Sequence, residues 1–107
     1  MTEDETLGGY VDAFRCPPAF QGAGGVSYTA EIIVDEEPDE SKQFGAAVLF
    51  VRWSLDSAQP DGHLETAYLA HGETQAQART AVEGLTLYEL KEHLDRLIED
   101  RKERPDW

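Results

Sequence analysis

Cys16, His63, His71, His93 and the acidic run from Asp35 to Ser41 are the side chains of this sequence best suited to nucleophilic, acid–base or metal chemistry. A thiol nucleophile needs a neighbouring base or a helix terminus to lower its pKa, and Cys16 is followed by Pro17 and Pro18 with neither at hand. It reads as a partly buried, unreactive thiol. His63 and His71 flank a strand-like segment, with Glu65 and Glu73 two residues from each, a spacing unlike that of zinc ligands on a helix or loop. His93 follows Glu89 by four residues, the spacing of a surface pair on a helix. Asp35, Glu37, Asp39 and Ser41 alternate as in a calcium loop, but the turn glycine and the closing bidentate acid are missing and Pro38 stiffens the run. Gly22-Ala23-Gly24-Gly25 leads into a strand pattern, so it offers no helix amino terminus to a phosphate. Nucleophile-elbow, Walker and dinucleotide motifs do not occur. Neither catalysis nor a metal or cofactor is expected.

The 107 residues, 40% of them hydrophobic, suffice for one core without metals or disulfides. One domain is expected over residues 10 to 107, behind a disordered acidic tail at residues 1 to 9. With 22 acidic against 9 basic residues the net charge is -13, which opposes a phosphate backbone, since binding there replaces counterions with basic side chains. Direct nucleic-acid binding is therefore disfavoured, whereas a basic protein suits this charge. The single cysteine excludes an internal disulfide and fits a reducing compartment. The first residues carry no basic and apolar leader pattern, and no stretch is apolar enough to span a membrane. A cytoplasmic protein with no membrane partner is the expectation.

The elements that would position these residues follow from periodicity. Tyr10 to Phe14 alternates weakly and reads as a short edge strand, after which Pro17 and Pro18 interrupt regular pairing. Val26, Tyr28, Ala30, Ile32 and Val34 alternate with polar neighbours, predicting a strand over about 26 to 34. Phe44 to Trp53 is apolar at nearly every position, as in a strand covered on both faces or lying at the sheet centre. Pro60-Asp61-Gly62 reads as a turn by residue type, and Leu64 to Ala70 as a third strand ending near His71. Thr74 with Gln77, and Thr86 with Glu89, have capping-box spacing and predict helices beginning near 75 and near 87, the second running to about 102. The stripe of Ala78, Ala81, Val82 and Leu85 and that of Leu87, Leu90, Leu94, Leu97 and Ile98 point roughly 160° apart on a straight helix. A break at Gly84 lets both stripes meet one sheet. The predicted class is α+β: an antiparallel sheet of three or four strands with two carboxy-terminal helices on one face.

From Val26 to Leu85, the order strand, acidic loop, strand, strand and then Gly72-Glu73-Thr74-Gln75-Ala76-Gln77-Ala78 opening a helix resembles the partial double-stranded-RNA-binding-like domain of the HicB antitoxin family. There a glycine-acid-threonine turn likewise starts the helix, and an alanine follows four residues after the threonine. The resemblance implies an interaction domain that sheathes a basic partner. This chain departs from it in adding a second helix and in lacking a following operator-binding domain, so DNA binding is not implied.

The functional expectation is a non-catalytic, acidic protein-interaction module, antitoxin-like or immunity-like, that binds a basic protein or pairs with itself. Exposure nominates Glu36, Glu37, Asp39, Glu40 and Trp107 as contacts. One alternative is a ligand-binding or enzyme domain with a site between sheet and helices, using His63, His71 and Tyr68. Another is a structural homo-oligomer packed through the alanine face of its first helix.

Overall fold

The computed structural model describes residues 5–22, 26–36, 43–54 and 59–102. The elements run α1 (Leu7–Phe14), β1 (Ala19–Gln21), β2 (Ser27–Glu36), β3 (Phe44–Trp53), β4 (Pro60–Glu65), β5 (Ala70–Gly72), α2 (Gln75–Glu83) and α3 (Leu87–Lys102). The sheet is an antiparallel meander in the order β1-β2-β3-β4, with β5 pairing β3 on the same side as β4. The predicted α+β class, with carboxy-terminal helices after the sheet, is thus what the chain adopts.

β3 lies at the sheet centre, as its apolar run predicts. Along its whole length it pairs with β2, from Ser27 opposite Trp53 to Glu36 opposite Phe44. On its other side β4 takes the Leu49 to Trp53 end and β5 the Phe44 to Ala46 end. Between them the chain leaves regular pairing, and Thr66 bridges the gap. Its amide donates to the Val48 carbonyl (3.0 Å), its Oγ1 accepts from the Val48 amide (3.0 Å), and its hydroxyl donates to the Ala67 carbonyl (2.7 Å). Thr66 is buried, so removing the hydroxyl orphans a buried donor. Thr66→Val is expected to destabilise the fold by about 1–3 kcal/mol, and Thr66→Ser by much less, as read from urea midpoints.

Period-2 geometry divides the strands into two faces. One carries Tyr28 and Ala30, then Ala46, Val48 and Phe50, with Phe20 of β1 and Leu64 of β4, all buried. Ala78 and Val82 of α2 and Leu87, Leu90 and Leu94 of α3 close over it, with Leu97 and Ile98 at its margin. Both predicted stripes thus meet one core because the helices are separate, except that Ala81, counted in the first stripe, is exposed. Gly84 ends α2 in an ordinary right-handed conformation (φ -77°, ψ -9°), and Thr86 restarts the chain as α3. The caps form as their spacing predicts. Thr74 Oγ1 accepts from the Gln77 amide (3.1 Å), while Gln77 reaches back to the Glu73 amide (2.8 Å). Thr86 Oγ1 accepts from the Glu89 amide (3.0 Å), and Glu89 accepts from the Thr86 amide (3.1 Å). Glu89 is therefore engaged in the cap rather than set aside for His93. The Gly72 of this turn has a packing reason: a Cβ there would lie 2.8 Å from the Ala78 amide nitrogen and 2.7 Å from the Gln77 Cβ.

Three expectations for the polar and turn-rich segments are corrected. Tyr10 to Phe14, read as an edge strand, belongs to α1, and the part of the supposed tail that is described, from Glu5 onward, is ordered by tertiary contacts. Leu7 donates to the Leu85 carbonyl (2.9 Å), Leu87 donates to the Glu5 carbonyl (2.7 Å), and Leu7 is buried. Thr6 caps α1 by accepting from the Gly9 amide (3.0 Å), and Tyr10 and Phe14, one turn apart, stack at 4.6 Å. Pro60-Asp61-Gly62, read as a turn, lies in β4 instead. There Pro60 opposes Trp53, Gly62 opposes Arg52 and Asp61 is the extra residue of a bulge, with its carboxylate 3.5 Å from the Arg52 guanidinium. An edge strand tolerates the missing proline donor, because its outer side needs no partner strand.

Candidate functional site: an open sheet face and an unpaired strand edge

The second face of the sheet is not covered by any helix among the described residues. It carries Thr29, Glu31, Ile33 and Asp35 from β2, Ala47, Leu49, Val51 and Trp53 from β3, and His63 and Glu65 from β4. Of the two readings of the apolar run of β3, the sheet centre is the one adopted, and among the described residues helices cover one face only. Ile33, Leu49, Val51 and Trp53 are half-buried, whereas Glu31, Asp35, Glu65 and His63 are exposed around them. A shallow depression of about 450 Å³ runs over Ile33, Leu49, Val51 and Pro60 toward His63 and Glu65. Trp53 is fixed in place by its indole N–H, which donates to Thr29 Oγ1 at 3.0 Å.

One end of this face is closed by Tyr68, whose ring lies on Gly45: a Cβ at that glycine would come within 2.6 Å of the ring. The Tyr68 hydroxyl donates to Asp35 (3.4 Å), and its ring meets His71 edge-on at 6.0 Å. Tyr68 and His71 are thus neighbours, as the ligand-site alternative requires, but His63 is not with them. His63 opposes Val51 and His71 opposes Gly45, six residues apart along β3, or roughly 20 Å. Tyr68 and His71 also lie away from the space between sheet and helices, which is filled by Phe50, Val48, Leu90, Leu94 and Val82, whereas His63 borders a cleft of about 260 Å³ that β4 forms with Leu97, Asp100 and Arg101 of α3. Among the described residues no three His, Cys, Asp or Glu side chains come together as a metal site. In that core Tyr28 has its phenol pKa raised above the ordinary 10.0 by burial, with the Arg52 guanidinium pulling it down and Asp61 adding to the rise.

Of the nominated contact residues, Glu36 is placed: it ends β2, opposite Phe44, and is exposed. Glu37, Asp39, Glu40 and Trp107 lie outside the described residues. Cys16, expected to be partly buried, is exposed. It follows Arg15, the left-handed cap of α1 (φ 59°), and borders a cavity of about 370 Å³ lined by Leu7 and Val11 of α1, Pro17, and Ala30 and Ile32 of β2, together with the charged Arg15, Glu31, Arg79 and Glu83. That cavity opens along the outer edge of β2, because β1 covers only Ser27 to Thr29 and, among the described residues, the last backbone bond on that side runs from the Ala30 amide to the Pro18 carbonyl (3.1 Å).

Sequence reasoning missed both the open face and this edge. The half-polar alternation of Thr29, Glu31 and Asp35 was a signal for the face; nothing local marks the edge, which depends on how short β1 is. No helix among the described residues is long and apolar enough to cross a membrane. Comparison with known proteins finds no family model, no curated protein and no solved structure that matches the chain, so the likeness to the HicB domain rests on its element order and the Gly72 to Ala78 turn alone.

Proposed function

We propose that the protein is a non-catalytic interaction module that binds a basic protein through the open face of its sheet. The observation that carries this reading is the composition of that face: half-buried Ile33, Leu49 and Val51 along its middle and half-buried Trp53 at one end, with exposed Glu31, Asp35 and Glu65 around them. An apolar centre with a charged rim is the anatomy of a protein contact surface, in which the centre supplies affinity and the rim selects the partner. Two copies meeting face to face would bring like-charged rims together, each on a chain of net charge -13, so a basic partner suits the surface better than a second copy. The antitoxin resemblance points the same way, toward a basic toxin or nuclease. An unpaired, exposed Cys16 suits a reducing compartment, and the cytosol is the proposed location.

Trp53 makes the reading testable. In a Trp107→Phe variant, Trp53 is the sole tryptophan, since the chain has two. Adding a basic protein recovered from the source organism's extract is expected to shift Trp53 emission to the blue as the indole loses water. A complex that forms with unchanged emission would place the contact elsewhere on the molecule.

A further inference from the structure

We propose that the outer edge of β2, from Glu31 to Asp35, accepts an extended basic segment of the partner as an added antiparallel strand. This rests on the interaction-module reading and supplies the way the partner is held. Residues two apart on a strand point their backbone groups the same way. The Val26 carbonyl and the Ala30 amide both point outward, toward Gly22 and Pro18. Ile32 and Val34 continue that series, so each presents an N–H and a C=O beyond the reach of β1, with no backbone partner on that side among the described residues. A row of unpaired backbone groups is a template for another strand.

The two faces of the edge specify the added strand. Side chains opposite Ile32 and Val34 would turn toward the helices, and the one opposite Ile32 meets the cavity of about 370 Å³, whose apolar lining of Leu7, Val11 and Pro17 receives an apolar group beside the charged Arg15, Arg79 and Glu83. Side chains opposite Glu31, Ile33 and Asp35 would turn to the open face, where two exposed carboxylates flank an isoleucine. The fitting sequence is therefore basic, apolar, apolar, apolar, basic. A second copy does not fit. An antiparallel β2 pair centred on Ile33 sets Glu31 directly opposite Asp35 of the other copy, twice over, and like charges directly opposite destabilise a ladder. The same carboxylates that block self-pairing attract a lysine or arginine at those positions.

The test uses the full chain and a synthetic peptide, acetyl-Thr-Lys-Leu-Val-Ile-Lys-Thr-amide. Amide hydrogen exchange at Ile32 and Val34 is expected to slow on peptide addition, and alkylation of Cys16, at the cavity wall, to slow with it. The Glu31→Lys, Asp35→Lys variant is expected to bind this peptide roughly tenfold more weakly and to prefer its lysine-to-glutamate counterpart. A peptide methylated on the backbone nitrogens that face β2 should not bind. Equal binding of the methylated peptide, or unchanged exchange at Ile32 and Val34, overturns the edge proposal. If the peptide instead shifts Trp53 emission without protecting Ile32, the open-face reading stands and the edge proposal fails. A dimer in light scattering without peptide, with Ile32 and Val34 already protected, also overturns it, by assigning the edge to a second copy.

Discussion

Phe50→Ala is expected to lower the stability of the fold by about 3–5 kcal/mol, whereas Val51→Thr, one residue further along β3, should cost less than about 1 kcal/mol. Phe50 has no solvent exposure and lies between Phe20, whose ring meets it edge-on at 6.3 Å, and the leucines of α3. Truncating it removes apolar burial and leaves a cavity that strands held in a ladder cannot collapse to fill. A domain of this size has about 5–15 kcal/mol in all, so the loss brings it close to unfolding at room temperature. Val51 is half-buried on the uncovered face, where a hydroxyl in place of a methyl keeps access to water. Urea midpoints of the two variants measure the contrast directly. Similar losses for both would mean that the second face is packed too, and the open-face account would then fail.

Truncating the open face should have the opposite profile. The pair Leu49→Ala and Val51→Ala is expected to weaken a basic partner by about tenfold to a hundredfold while leaving the midpoint nearly where it was. Leu49 and Val51 sit at the centre of the face, between Glu31 and Thr29 of β2 on one side and Glu65 and His63 of β4 on the other. Central, desolvated apolar groups dominate a contact, and rim charges act more on its rate and salt dependence. Salt should therefore weaken the complex without abolishing it, and the alanine pair should weaken it at any salt.

How much of this was legible in the sequence depends on how local its causes are. The capping boxes at Thr74 and Thr86 are set by residues three apart, and α2 and α3 begin where that spacing places them. β3 was legible through its apolar run, and its observed limits, Phe44–Trp53, are those read from the residues. By contrast α1 opens on Leu7-Gly8-Gly9, which disfavours a helix, and it forms because the Leu85 and Leu87 backbone groups hold Glu5 and Leu7. Pro60-Asp61-Gly62 has turn chemistry by type, but pairing with Arg52 and Trp53 overrides it. The site was legible in its charge and in the half-polar alternation of Thr29, Glu31 and Asp35. Its position depends on which face the helices leave open and on where β1 stops, and both are decided by contacts between residues far apart in the sequence.

The most direct test of the central claim is capture of basic proteins from the source organism's extract on the wild-type chain and on the Leu49→Ala, Val51→Ala pair, at low and at high salt, with the mass of each complex checked by light scattering. The account predicts a basic polypeptide held by the wild type, reduced by salt and lost on the alanine pair. Equal recovery on both chains, or recovery of the protein alone as a defined oligomer, would contradict it.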